Sequence, residues 1–93
     1  MTVRFVFGFW CGLSGRLGTT YLKREFRDFP IPQIGSTIAI GDSNSEYSSK
    51  VDSVVIDPET REVSVSVLPV QFAPDKHEEY LNAVEFMKQR GWD

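Results

Sequence analysis

The stretch FRDFPIPQIGSTIAIGDSNSEY, residues 26–47, decides how this chain must turn. Pro30 and Pro32 each lack a backbone N–H and push the residues before them, Phe29 and Ile31, away from helical geometry, so the segment is neither a helix nor a central strand. Gly35 permits a turn, and Ile38 and Ile40 then restore an apolar pattern at every second residue. The stretch therefore reads as a corner between two strands, with Phe29, Ile31 and Ile34 placed to plug the end of a barrel. Its polar tail, Asp42 to Glu46, is the part left open to a binding role.

On the N-terminal side of the corner, Val3, Phe5, Phe7, Phe9 and Cys11 alternate with Arg4, Val6, Gly8 and Trp10, which predicts a half-buried strand over 2–11. Val6 and Trp10 make its second face too apolar for open water, so a C-terminal helix is expected to cover them. A glycine-punctuated loop follows, and then a second strand over 19–28 in which Tyr21, Lys23, Glu25 and Arg27 alternate with Leu22, Arg24 and Phe26.

Beyond the corner, strands are predicted over 36–41 and 47–57. The apolar phase slips within the latter, from Tyr47 and Val51 to Val54 and Ile56, as at a β-bulge or bend. Asp57-Pro58-Glu59-Thr60 fits a type I turn, leading back into a strand over 61–70 that carries Val63, Val65 and Val67. After Pro74 the period becomes helical. Asp75 with Glu78 resembles a capping box, and Tyr80, Leu81, Ala83, Val84 and Met87 form one stripe, with His77 near its start and Phe86 off it. Gly91 fits the left-handed C′ position and Trp92 the residue that folds back onto Met87, giving a helix over 75–90.

The order βββββα over a single domain, 1–93, predicts a five-stranded antiparallel, strongly bent sheet or partly open barrel with one C-terminal helix. Over most of residues 1–70 this resembles the SH3-like and other small-barrel superfolds. The resemblance is architectural alone and implies no activity, because such folds host unrelated functions.

With 93 residues, 41% of them hydrophobic and 13% aromatic, the chain has room for one modest core and lacks the composition of a disordered segment. A single cysteine excludes an internal disulfide and points to a reducing, cytoplasmic location. The apolar run from Phe5 to Leu13 is far shorter than the roughly 20 residues of a membrane-spanning helix. Its alternating phenylalanines read as a strand, not as the core of a signal peptide.

The glycines at 8, 12, 15 and 18 match neither a dinucleotide fingerprint nor a P-loop. Gly15-Arg16-Leu17-Gly18 has the letters of the KH-domain GxxG clamp but joins two strands instead of two helices. Residues 42–46 resemble the opening of a calcium loop, which fails where Tyr47 replaces the sixth-position glycine and Ser53 the twelfth-position glutamate. One Cys and one His supply at most two zinc ligands. Cys11 and His77 could form a nucleophile and base, but Cys11 lies on an apolar face where burial makes a thiol inert, and no third, orienting group is identifiable. No catalytic residue, metal or cofactor is expected.

Two binding functions remain. Residues 1–27 carry a net charge of +4 and residues 28–93 a net charge of −7. The preferred expectation is a protein-interaction or assembly module that meets another protein or a second copy of itself through Trp10, Tyr21, Phe86 and Trp92. The alternative is a nucleic-acid-binding barrel in which Arg16, Lys23, Arg24 and Arg27 contact phosphates and Tyr21 or Trp10 stacks on bases. The overall net charge of −3 disfavours it. An enzyme built on Cys11 and His77 is the remaining, weakest alternative.

Overall fold

The computed structural model describes residues 2–41 and 46–93. Strand β1 (Thr2–Cys11) is the centre of the molecule. Val3, Phe5, Phe7, Phe9 and Cys11 are at most 2% exposed, as the alternation requires of a strand with one wholly apolar face. A 3₁₀ turn, Leu13–Gly15, returns the chain into β2 (Gly18–Arg27), which pairs antiparallel with β1 from Cys11 opposite Gly18 to Thr2 opposite Arg27. Beyond the corner, β3 (Thr37–Gly41), β4 (Glu46–Asp57) and β5 (Glu62–Val67) form a second antiparallel meander.

The two meanders join through β1 and β5, which run parallel from Thr2 opposite Glu62 to Val6 opposite Ser66. The sheet order is β2-β1-β5-β4-β3, so the sheet is mixed and not antiparallel throughout as the sequence led us to expect. The reason is parity: five strands that alternate in direction leave the first and fifth pointing the same way, so pairing them is necessarily parallel. The result is a strongly curled half-barrel, with β2 and β3 as its edges and the corner, residues 28–36, crossing from one edge to the other.

Two irregularities at one level of the sheet sharpen the curl. Asp52 is an extra residue in β4, between the pairs Val51–Val67 and Ser53–Ser66, and accounts for the phase slip read from the sequence. The strand expected over 61–70 is broken after Val67. Between the pairs Val6–Ser66 and Phe9–Val70, only Phe7 and Gly8 of β1 face Val67, Leu68 and Pro69. Pro69 has no N–H to give to a ladder, and pairing with β1 resumes in β6 (Val70–Phe72).

A 3₁₀ turn, Pro74–Lys76, leads into the helix α1 (His77–Gln89). The helix lies on the inner face of the half-barrel, not over Val6 and Trp10: its buried residues Tyr80, Ala83 and Met87 belong to the same core as Phe5, Phe7 and Phe9. Burial scales with apolar area, and the phenylalanine face offers the larger one. The buried stripe is narrower than predicted, since Leu81 is 51% exposed. The capping box does not form, because the N-cap position is Lys76 and no side chain caps it. Glu78 and Glu79 instead place negative charge in the first turn, at the positive end of the helix dipole.

The other end of the helix follows the sequence reading closely. Gly91 has φ 91°, its N–H donates to the Lys88 carbonyl at 3.1 Å, and the Trp92 N–H donates to the Met87 carbonyl at 3.1 Å. These are the two hydrogen bonds of a Schellman motif, and they turn Trp92 into the core.

The corner also behaves as read, with one change. Pro30 and Pro32 lie outside any ladder, and Gly35, at φ 91°, forms a turn closed by the Ser36 N–H donating to the Gln33 carbonyl at 3.1 Å. Phe29 packs edge-on against Phe5 at 5.2 Å and lies 5.7 Å from Phe26. Phe29 is 43% exposed, Ile31 41% and Ile34 68%, so none of the three is sealed inside, and Phe29 is distinguished by the packing of its ring on the core residue Phe5.

In the β4–β5 turn, Asp57 Oδ1 accepts hydrogen bonds from the N–H groups of Glu59 and Thr60 at 3.0 and 3.3 Å. The turn ends with Arg61 at φ 60°, a left-handed conformation that costs an L-residue roughly 1 kcal/mol. Arg61→Gly removes that cost and is expected to raise the unfolding free energy by about 0.5 kcal/mol after the extra freedom of the unfolded glycine is counted. Urea melts check this; a variant less stable than the parent would mean that the arginine side chain holds the turn.

Candidate functional site

The outer face of the β1–β2 hairpin presents an aromatic pair. Gly8 lies opposite Tyr21 in the register, and a Cβ built on Gly8 would come within 2.9 Å of Tyr21 Cε1, so the absence of a side chain lets the tyrosine ring lie across β1. Tyr21 Oη accepts a hydrogen bond from Trp10 Nε1 at 3.2 Å, which fixes the two rings relative to each other. Trp10 is half-buried and Tyr21 57% exposed. Gly15 in the preceding loop approaches the indole, and Pro69 flanks Gly8 on the other side. The exposed side chains of Leu13, Leu17 and Leu68 belong to these same two segments.

The other two aromatic residues expected to meet a partner are engaged inside the molecule. Trp92 is 2% exposed and packs edge-on against Phe7 at 5.3 Å. Phe86 is half-buried between the Tyr47 ring, 5.2 Å away, and the Arg90 guanidinium, 4.5 Å over its face. Neither offers a free ring to another chain.

The basic residues are divided between faces. Along β2 the outer row is Tyr21, Lys23, Glu25, Arg27, and Glu25 accepts from Arg4 Nη2 at 2.8 Å. That hydrogen bond and the carboxylate charge hold the Arg4 guanidinium above its ordinary pKa. Arg24 takes the opposite phase, donates to the Arg90 carbonyl at 2.6 Å and sits 4.9 Å over the Phe26 ring. Arg16 stands in the loop between the strands. The four cations thus form no continuous stripe.

A second feature lies on the inner side, at the open seam between the edge strands. A cavity of about 210 Å³ is bounded by Phe5, Phe26, Phe29 and Trp92 on one side and by residues 38–40 of β3 on the other. A larger, polar hollow of about 470 Å³ follows the edge of β2 beside Gly91 and Asp93, where Lys23, Arg24 and Glu25 mix both signs of charge. The cavity escaped the sequence reading because its walls come from four separate segments. Only Phe29, as a plug, hinted at it.

Cys11 is buried, with its thiol 3.5 Å from the Ala73 carbonyl, while His77 is exposed and tilted against the Tyr80 ring at 5.6 Å, not packed in the core as its place on the stripe implied. Residues 42–45, most of the polar tail compared above with a calcium loop, lie outside the described residues. Among the described residues no three His, Cys, Asp or Glu side chains gather as a metal site, and no helix is long and apolar enough to cross a membrane. Comparison with protein-family models, curated proteins and solved structures found no match to this chain.

Proposed function

We propose that this chain is a non-enzymatic protein-interaction module, a half-barrel related in general design to SH3-like small barrels, that docks a partner protein on the outer face of its β1–β2 hairpin. The reading rests on one observation: the Trp10–Tyr21 pair is held in place by its own hydrogen bond while Tyr21 stays accessible. Tryptophan and tyrosine dominate the energetic centres of interfaces, and rings already fixed lose little entropy on binding. Lys23 follows Tyr21 in the outer row of β2 and Arg16 stands in the loop that precedes the strand, so the matching surface on the partner is apolar with acidic groups beside it. Residues 28–93 carry a net charge of −7, so a second copy of this chain supplies acidic groups.

The nucleic-acid alternative has less support, because Glu25 interrupts the basic row and Arg24 is committed to Arg90 and Phe26. The test compares the parent with a Trp10→Ala/Tyr21→Ala double variant in light scattering and in capture of partners. Self-association or one dominant captured protein is expected with the parent, reduced at least about tenfold in the variant. Equal capture by both would remove the outer face from consideration. Fluorescence anisotropy with single-stranded and duplex oligonucleotides at low salt is expected to show no binding; tight, salt-sensitive binding would favour the alternative.

A further inference from the structure

The two edges of the half-barrel are protected unequally. Lys23, Arg24, Glu25 and Arg27 put charge along β2, and the Asp93 N–H donates to the Lys23 carbonyl at 3.0 Å, closing the middle of that edge. Charged side chains and a covering segment are devices by which sheets avoid pairing with another chain. Strand β3, Thr37-Ile38-Ala39-Ile40-Gly41, contains neither charge nor proline. Its ladder with β4 fixes which backbone groups face outward. The Val51 N–H donates to the Ser36 carbonyl at 2.8 Å, so Ser36 and Val51 are a hydrogen-bonded pair, and alternation makes Ile38 and Ile40 the next two. The N–H and C=O groups of Thr37, Ala39 and Gly41 therefore point away from β4. Lys50, opposite Thr37, confirms the phase, since its carbonyl accepts from the Leu68 N–H on the β5 side at 2.9 Å. No other strand among the described residues pairs with the outward side of β3.

A strand added there lies beside the seam, whose wall includes Phe5, Phe26 and Phe29, so a charge on its inner row would lose hydration without compensation. The fitting strand is uncharged, with apolar residues on the inner row and small ones on the outer row. β3 itself has this pattern: Ile38 and Ile40 are half-buried on the inner row, and Thr37, Ala39 and Gly41 are exposed on the outer. We propose that β3 pairs antiparallel with the β3 of a second copy, about a two-fold axis at Ala39, joining two half-barrels into one continuous sheet. Because the free groups belong to Thr37, Ala39 and Gly41, the register that uses all of them sets Ala39 opposite the partner's Ala39 and Thr37 opposite the partner's Gly41, each pair exchanging both its hydrogen bonds. Ile38 then meets the partner's Ile40 in the closer, non-hydrogen-bonded pairs, where apolar side chains stabilise a sheet most directly. No charged side chain of one strand faces one of the other. The β2 edge of a second copy is a poorer partner, because Asp93 already occupies its Lys23 carbonyl. This contact uses neither Trp10 nor Tyr21.

The experiment follows ¹⁵N-labelled protein through a dilution series by light scattering and by amide hydrogen exchange, in the parent and in the Trp10→Ala/Tyr21→Ala variant. Dimers are expected at the concentrated end of both series. Exchange at Thr37, Ala39 and Gly41 should be slowed there at least about tenfold relative to the dilute end, with no such change at Tyr21 or Glu25, which share the phase of Lys23 on the β2 edge. Association through the outer face would instead be lost in the double variant and leave the three β3 amides unchanged. Ala39→Pro deletes the N–H at the axis and removes no hydrogen bond from the β3–β4 ladder, because Ala39 and Ser48 are a non-hydrogen-bonded pair. It should weaken the dimer about tenfold or more, through the two central hydrogen bonds. Ala39→Lys keeps the N–H and sets like charges side by side at the axis, which guards against a folding failure of the proline variant; it should also weaken the dimer, more at low salt than at high. A parent that stays monomeric throughout, dimers whose Thr37, Ala39 and Gly41 amides exchange as fast as in the monomer, or dimers that both Ala39 variants leave intact would each overturn the proposal.

Discussion

Trp92→Ala is expected to lower the unfolding free energy by about 3–5 kcal/mol, the range for deleting a large aromatic side chain from a core. Trp92 is 2% exposed and packs edge-on against Phe7 at 5.3 Å and Phe26 at 6.3 Å, so it spans from the central strand to the edge strand β2. The backbone cannot easily close the space left behind, because the Schellman hydrogen bonds at Gly91 and Trp92 hold the chain where it is. A domain of this size has a total stability of only about 5–15 kcal/mol, so the variant should unfold well below the parent's urea midpoint. A loss under about 1 kcal/mol would show that the end of the chain is not anchored in the core.

Gly18→Ala is expected to cost about 2–3 kcal/mol although it adds a single methyl group. The new Cβ would lie 2.6 Å from Tyr80 Cε1 and 2.9 Å from its Cζ, closer than real Cβ contacts come. Tyr80 has little room to yield: it is 4% exposed, its hydroxyl is hydrogen-bonded to Thr20 Oγ1, and Phe72 stands edge-on at 6.0 Å. Alanine is otherwise the better strand residue at this position, so the sign of the effect isolates the collision. Removing the ring as well should relieve it. A Gly18→Ala/Tyr80→Ala double variant is expected to be more stable than the sum of the single effects by at least about 1 kcal/mol, and simple additivity would show that the ring is not what glycine accommodates.

What the sequence disclosed was local, and what it withheld was pairing at a distance. Alternation in Val3 to Cys11, the Asp57-Pro58 turn, the phase slip at Asp52 and the Gly91-Trp92 helix end each depend on a few adjacent residues, and all are present in the structure. The parallel partner of β1 was not legible, since it lies some 60 positions away in the register of Thr2 with Glu62. The covered face of β1 was ambiguous because Val6 and Trp10 make the outer face apolar too. Tyr21 was identifiable as an aromatic residue of a strand with charged neighbours, and Trp10 only as one on a face expected to lie under the helix. Their contact required the register that sets Gly8 opposite Tyr21. Trp92 was legible as a residue folding back on the helix, and that same geometry removes it from the surface on which a partner would find it.

The parallel join between β1 and β5 also sets the order in which the molecule can form. Residues 2–27 and 37–67 each make a meander from contacts between neighbours in the chain, and such hairpins close in microseconds. Neither half has a complete core, because the phenylalanines of β1 and the valines of β5 complete one another only when the halves dock. Docking must close a loop of roughly 60 residues before its hydrophobic reward arrives, which places this fold among the slower small domains. On a ribosome, β1 emerges first and waits with an unpaired edge until β5 has been made. The N-terminal strand, the most apolar in the chain, is thus exposed longest during synthesis and is the segment most in need of protection from aggregation.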